Sequence, residues 1–104
     1  MNEQNKTVIH SVTYRSVERT IDWFVQKQHQ TIHHIYLYSD TITTSKHIFQ
    51  LDHVHDISYK PFSGGTGLFY LHTNQGVFTY DIDMNPKEFI REYKNLRDGH
   101  SFLY

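Results

Sequence analysis

The side chains richest in chemistry along this 104-residue chain are its nine histidines, and the pair with usable spacing is His53-x-His55. Two residues apart on an extended strand, side chains share a face with Cα atoms about 7 Å apart. Two imidazoles so placed can hold a divalent cation if a carboxylate such as Asp52 or Asp56 completes the set. The same residues are equally at home as polar side chains beside a bend. His-x-His without a distant third ligand motif is a weak signature, so no metal is expected and His53 and His55 stand only as the candidates. His33 and His34 are adjacent, must face opposite ways on a strand, and cannot form one site as a pair.

Other reactive groupings are thin. Ser63-Gly64-Gly65-Thr66-Gly67 has the look of a phosphate loop but lacks the Gly-Lys-Ser/Thr ending that sets a lysine on phosphates. It follows Pro61 and leads into a strand, so no helix terminus is aimed at an anion; a flexible hairpin connection is the better reading. Asp81 and Asp83 fall on one side of a strand, where paired carboxylates more often keep a face wet than catalyse. Cysteine is absent, which removes disulfides, thiolate catalysis and Cys-based zinc sites together. No Ser/His/Asp arrangement can be assembled from the spacing. The chain is therefore expected to be neither an enzyme nor a cofactor carrier. Nine imidazoles with ordinary pKa values near 6.5 predict some pH dependence of solubility or stability, of a sign the sequence leaves open.

The net charge of −1, with both signs interspersed, gives no basic face for nucleic acid or for an anionic bilayer. Residues 1–6 are polar, without the apolar core of a secretory signal. No apolar run approaches the roughly 20 residues that span a membrane. A cytoplasmic protein is expected.

What positions these residues is a succession of short apolar-alternating runs closed by one helix. The length suits one domain, at about 100–150 residues, and eight Tyr, seven Phe and one Trp suit pleated, half-buried surfaces. Residues 1–6 and 99–104 are expected to be flexible tails. Val8, His10, Val12 and Tyr14 alternate as a strand does, with Arg15-Ser16 marking a tight connection. Residues 17–27 satisfy both strand and helix spacing, and Thr, Trp, Phe and Val favour the strand. Ile32 to Tyr38 is a further strand, then a turn at Ser39-Asp40 and extended chain over 41–44. A break at Ser45-Lys46 precedes His47 to Leu51. Uneven spacing between Leu51 and Val54 predicts a bend or bulge with Asp52 and His53 at its corner. Val54 to Tyr59 resumes as a strand, residues 60–67 form a Pro/Gly loop, and 68–73 pairs with 77–83 around Asn74-Gln75-Gly76.

The closing helix spans about 86–97. Asn85 caps, Pro86 takes the first position and Glu88 stands where a capping-box carboxylate would. Phe89, Ile90, Tyr93 and Leu96 make one apolar stripe, and Gly99 is placed to end it.

Two stretches then carry a resemblance. Ile35-Tyr36-Leu37-Tyr38-Ser39-Asp40-Thr41-Ile42 looks like the paired-strand signature of bacterial pleckstrin-homology-like domains, and Leu51-Asp52-His53-Val54-His55-Asp56-Ile57 is similar to the step that follows it. The hairpin 69–76 and the closing helix complete the order over about residues 30–98. The resemblance implies a mainly β fold: a bent antiparallel sheet or partly open barrel of about seven strands, one end closed by the C-terminal helix. Members that bind phosphoinositides cluster Lys and Arg at the first hairpin loop; here Arg15 and Arg19 stand with Glu18 between them and Asp22 nearby, which speaks against lipid headgroups. Fold alone does not assign function.

Two functions follow. One is a non-enzymatic interaction module that binds a protein partner or associates with itself, suggested by the aromatic load, the apolar tail 100–104 and strand edges open to pairing. The other is a small-ligand or divalent-metal-binding domain using the mouth of the sheet and the His53/His55 region. Tyr36, Tyr38, Tyr70 and Tyr80 offer an aromatic surface, although a bent sheet needs most such side chains as core.

Overall fold

The computed structural model describes residues 7–102; the expected amino-terminal tail 1–6 and the last two residues lie outside them. The strands are β1 (His10–Asp22), β2 (Val25–Leu37), β3 (Thr41–Thr43), β4 (Ile48–Gln50), β5 (Val54–Pro61), β6 (Gly67–Thr73) and β7 (Gly76–Ile82). A 3-10 turn over Leu51–His53 separates β4 from β5, and α1 (Lys87–Phe102) ends the chain. All pairings are antiparallel in one seven-stranded sheet of order β4-β3-β2-β1-β7-β6-β5. The sheet curls until the Phe49 ring on β4 meets that of Phe78 on β7, centroids 4.9 Å apart, but it does not close. The expected mainly β fold with one carboxy-terminal helix is what the chain adopts.

Alternation decides which face is buried. Along β6, Gly67, Phe69, Leu71 and Thr73 are buried while Leu68, Tyr70 and His72 are half-exposed. Val12 on β1 faces Ile35 on β2, and both join Leu37, Ile42, Phe49, Ile57 and Ile82 in one core. Tyr80 is buried with them, whereas Tyr36, Tyr38 and Tyr70 stay half-exposed on the other face. Gly67 is required by packing: a Cβ there would lie 2.5 Å from Tyr59 Cε1 and 2.7 Å from the Lys60 carbonyl oxygen.

The helix plugs one end of this core. Asn85 Oδ1 accepts the Lys87 amide at 2.9 Å, and the Ile90 amide donates to the Pro86 carbonyl at 2.9 Å, so cap and first turn form as the sequence predicts. Glu88 pairs with Arg91 one turn on. Phe89 and Tyr93 are fully buried. The Phe89 ring stands edge-on to Phe69, centroids 5.4 Å apart, and its burial contributes roughly 1.5–3 kcal/mol.

Three local readings are corrected. Arg15-Ser16 is not a connection; β1 runs straight through it, because continuous pairing with β2 from His10↔Leu37 to Asp22↔Val25 leaves no break. The helix does not stop before Gly99 but continues to Phe102, since a mid-helix glycine costs only about 1 kcal/mol against alanine. The glycine-rich loop is shorter than 60–67, because β5 continues to Pro61 and β6 starts at Gly67. Between Leu51 and Val54 the expected bend is the 3-10 turn, with a register irregularity between Val54 and Asp56 beyond it. No helix among the described residues is long and apolar enough to cross a membrane.

Candidate functional site

The two longest strands, β1 and β2, are each 13 residues and make one hairpin. Only its base belongs to the curled sheet. β1 pairs with β7 at Arg15↔Asp81, and β2 pairs with β3 at Tyr36↔Thr43 and Leu37↔Ile42. Beyond those points, from Ser16 to Thr31, the hairpin is a two-stranded ribbon with no third described strand on either edge. The arm helps raise the radius of gyration to 16.0 Å, against about 13 Å for a compact chain of this length.

The arm ends in a two-residue turn, Trp23-Phe24, between the paired Asp22 and Val25. Both turn residues hold positive φ, 52° and 70°, the pattern of a type I′ turn, which normally takes Asn-Gly. Left-handed backbone costs about 1–2 kcal/mol per non-glycine residue. The strain displays two large rings: Trp23 is 84% and Phe24 98% exposed. Ile21, at 79%, and Val17 add apolar surface on one face of β1. Their cross-strand neighbours on β2 are Gln26 and Gln30, and Arg19 faces Gln28. Charges along 16–31 balance, Arg19 and Lys27 against Glu18 and Asp22.

At the base of the arm, beside the middle of β1, lies the mouth of the sheet, a cavity of about 330 Å³. Its floor is Tyr14 and Tyr80, rings 4.8 Å apart and edge to face, with His33 beside Tyr14 at 5.2 Å. The β3–β4 connection forms one wall, where Tyr14 Oη and Ser45 Oγ share a hydrogen bond of 2.7 Å. Burial pushes the Tyr80 phenol above its ordinary pKa, opposed in part by a hydrogen bond from Thr44 and reinforced by neighbouring Tyr14. At the rim, Arg15 Nη2 donates to Asp81 Oδ1 at 3.1 Å; a pair this exposed is worth about 0–1 kcal/mol. His33 Nε2 and Thr31 Oγ1 lie 2.9 Å apart.

The sequence-predicted candidates fall elsewhere. His53 sits in the 3-10 turn rather than on a strand, and His55 sits at the register irregularity that opens β5, so the same-face geometry argued from an extended His-x-His does not apply. Both side chains are exposed, and neither lines the mouth. Among the described residues no three His, Asp or Glu side chains gather as a metal site. His33 and His34 do face opposite ways, His33 into the mouth and His34 stacked on Tyr36 at 5.4 Å. Asp81 is held by Arg15 while Asp83 lies past the end of β7. The Gly64-Gly65 pair turns the β5–β6 hairpin with φ of +88° and +87°.

Sequence reasoning read 17–27 as a strand but missed the arm. The usual hairpin signal, glycine or asparagine at the turn, is absent from Asp22-Trp23-Phe24-Val25. The usable signal was the adjacent Trp23 and Phe24, two large rings that a strand would have to place on opposite faces. No family model, curated protein or solved structure matches this chain.

Proposed function

We propose that this chain is a non-enzymatic, pleckstrin-homology-like interaction module of the cytoplasm that engages a protein partner, or a second copy of itself, through the β1–β2 arm. The observation that carries this reading is the pair of exposed rings at Trp23 and Phe24, held out on strained backbone at the end of a ribbon. Contiguous exposed apolar surface on a small domain marks a docking site. A two-stranded hairpin alone is marginally stable in water, so this one gains by being covered. The strand order and the helix plugging one end support the pleckstrin-homology-like assignment, and the balanced charge favours protein over nucleic acid or lipid.

The test replaces Trp23-Phe24 by Asn-Gly. Relief of turn strain raises the melting temperature, while association, read by quantitative capture and by sedimentation, is lost. A variant that is stabilised yet keeps every partner and its oligomeric state defeats the proposal.

The mouth favours a second reading, a small-ligand site. A cavity of about 330 Å³ falls at the lower end of the ligand range, roughly 300–1,000 Å³, and combines aromatic floor with several hydroxyls. Thermal-shift screening of wild type against Ser45→Leu, with Zn²⁺ in the panel, separates it from the arm.

A further inference from the structure

We infer that the occupant of the arm is the arm of a second copy, paired edge to edge along β2 about a two-fold axis at His29. This rests on the interaction reading above and goes further by fixing partner and register.

β2 offers the longer free edge. β3 pairs with it only at Tyr36 and Leu37, so from Val25 to Ile35 its outer backbone groups have no strand partner among the described residues. Such an edge is a template for another strand. Where β3 leaves off, Ile32, His34, Tyr36 and Thr44 line a groove of about 390 Å³, floored by the stacked His34 and Tyr36 rings. The chain's own tip cannot reach it: Trp23 lies seven residues beyond Ser16, about 24 Å at the strand rise of roughly 3.4 Å per residue. An antiparallel second arm has the matching length, because its tip meets the groove when its base meets the first copy's tip.

The register then follows from the chemistry. Setting Val25 opposite the partner's His33 puts Gln26 against Ile32, Lys27 against Thr31, Gln28 against Gln30 and His29 against itself. Residues of equal parity face each other, so both outer faces fall on one side, and the glutamine amides of the two copies can hydrogen-bond across the seam. The equivalent pairing of β1 edges sets Arg19 against Arg19, and like charges directly opposite are destabilising. The β1 edge is also occupied at its base by β7, through Arg15↔Asp81. With Val25 in place, the Trp23-Phe24 turn lies beside the end of the partner's β3, over the groove.

The absence of cysteine makes the test clean. His29→Cys should form a disulfide-linked dimer under mild oxidation, since facing residues have Cβ atoms about 4.5–5.5 Å apart, close to disulfide geometry. Arg19→Cys, whose thiols lie outside the seam, should form no disulfide-linked dimer. In sedimentation the wild type should dimerise with rising concentration, and Gln28→Pro, which removes an N–H from the outer edge of β2, should shift it to monomer while the core stays folded by circular dichroism. Cross-linking through Arg19→Cys but not His29→Cys overturns the β2 register. A wild type that stays monomeric at every concentration and a His29→Cys that does not link overturn self-pairing. If capture of a different protein then still depends on Trp23 and Phe24, the interaction reading survives; if nothing depends on them, both fall.

Discussion

Tyr93 reaches from the buried face of α1 to the first strand beyond the 3-10 turn, its hydroxyl donating to the Val54 carbonyl at 2.7 Å. Arg97, one turn on, lies 5.3 Å from the centre of the same ring and donates to the His55 carbonyl at 3.0 Å. Helix and sheet are thus tied at the point where β5 begins irregularly. Tyr93→Phe keeps the ring and deletes the bond, leaving a buried carbonyl without its partner. Such a loss costs about 1–3 kcal/mol. Urea unfolding should show a lower midpoint at unchanged slope; an unchanged midpoint would mean that the bond contributes nothing.

Replacing Trp23-Phe24 by Asn-Gly should stabilise the isolated domain by about 1–2 kcal/mol, because those residues accept positive φ at little cost. The measurement is the melting temperature at a concentration where the wild type is monomeric. A fall in stability would show that the two rings pack on their own chain.

Two glycines should respond in opposite directions to alanine. At Gly67 the new methyl meets Tyr59 and the Lys60 backbone, and overpacking of this kind costs about 1–3 kcal/mol. At Gly99 nothing lies within 4 Å, and alanine in a helix gains about 0.5–1 kcal/mol. Chemical denaturation of the two variants side by side gives the comparison, and equal effects would contradict the packing described around Tyr59.

Stability should fall in alkali. Burial raises the phenols of both Tyr80 and Tyr93 above the ordinary value of 10.0, with Arg97 acting against the shift at Tyr93. Below about pH 10 both are neutral folded or unfolded, and this contribution is complete. As pH climbs further the unfolded chain ionises first and binds fewer protons than the native one, so stability declines through the folded-state values. Melting temperatures from about pH 8.5 to 11 should drop, and the drop should be shallower in Tyr80→Phe/Tyr93→Phe. A flat wild-type profile would refute the shifts.

How much of this was legible in the sequence depends on how local each signal was. The helix start was readable because Asn85, Pro86 and the stripe Phe89, Ile90, Tyr93, Leu96 act within a few turns. The β6–β7 hairpin was readable because Gly76, with φ of +118°, is the residue such a turn needs. The end of the helix was not, since Gly99 weakens a helix without breaking it. The arm was hidden because its turn breaks composition rules, and because every described side chain from Val17 to Gln30 is exposed, so alternation carried no inside or outside. His53 misled for a related reason: the spacing argument assumed a strand where the chain makes a 3-10 turn.

The unbroken pairing of Ser16 through Asp22 with Val25 through Thr31 also limits how the chain can diverge. Each strand presents alternate residues to opposite sides, so one inserted residue would turn the display inside out from that point to the tip. Length can change only in matched steps, two residues on the outgoing strand and two on the return. Descendants of this sequence should differ in reach by increments of about 7 Å, while Trp23 and Phe24 keep their bearing.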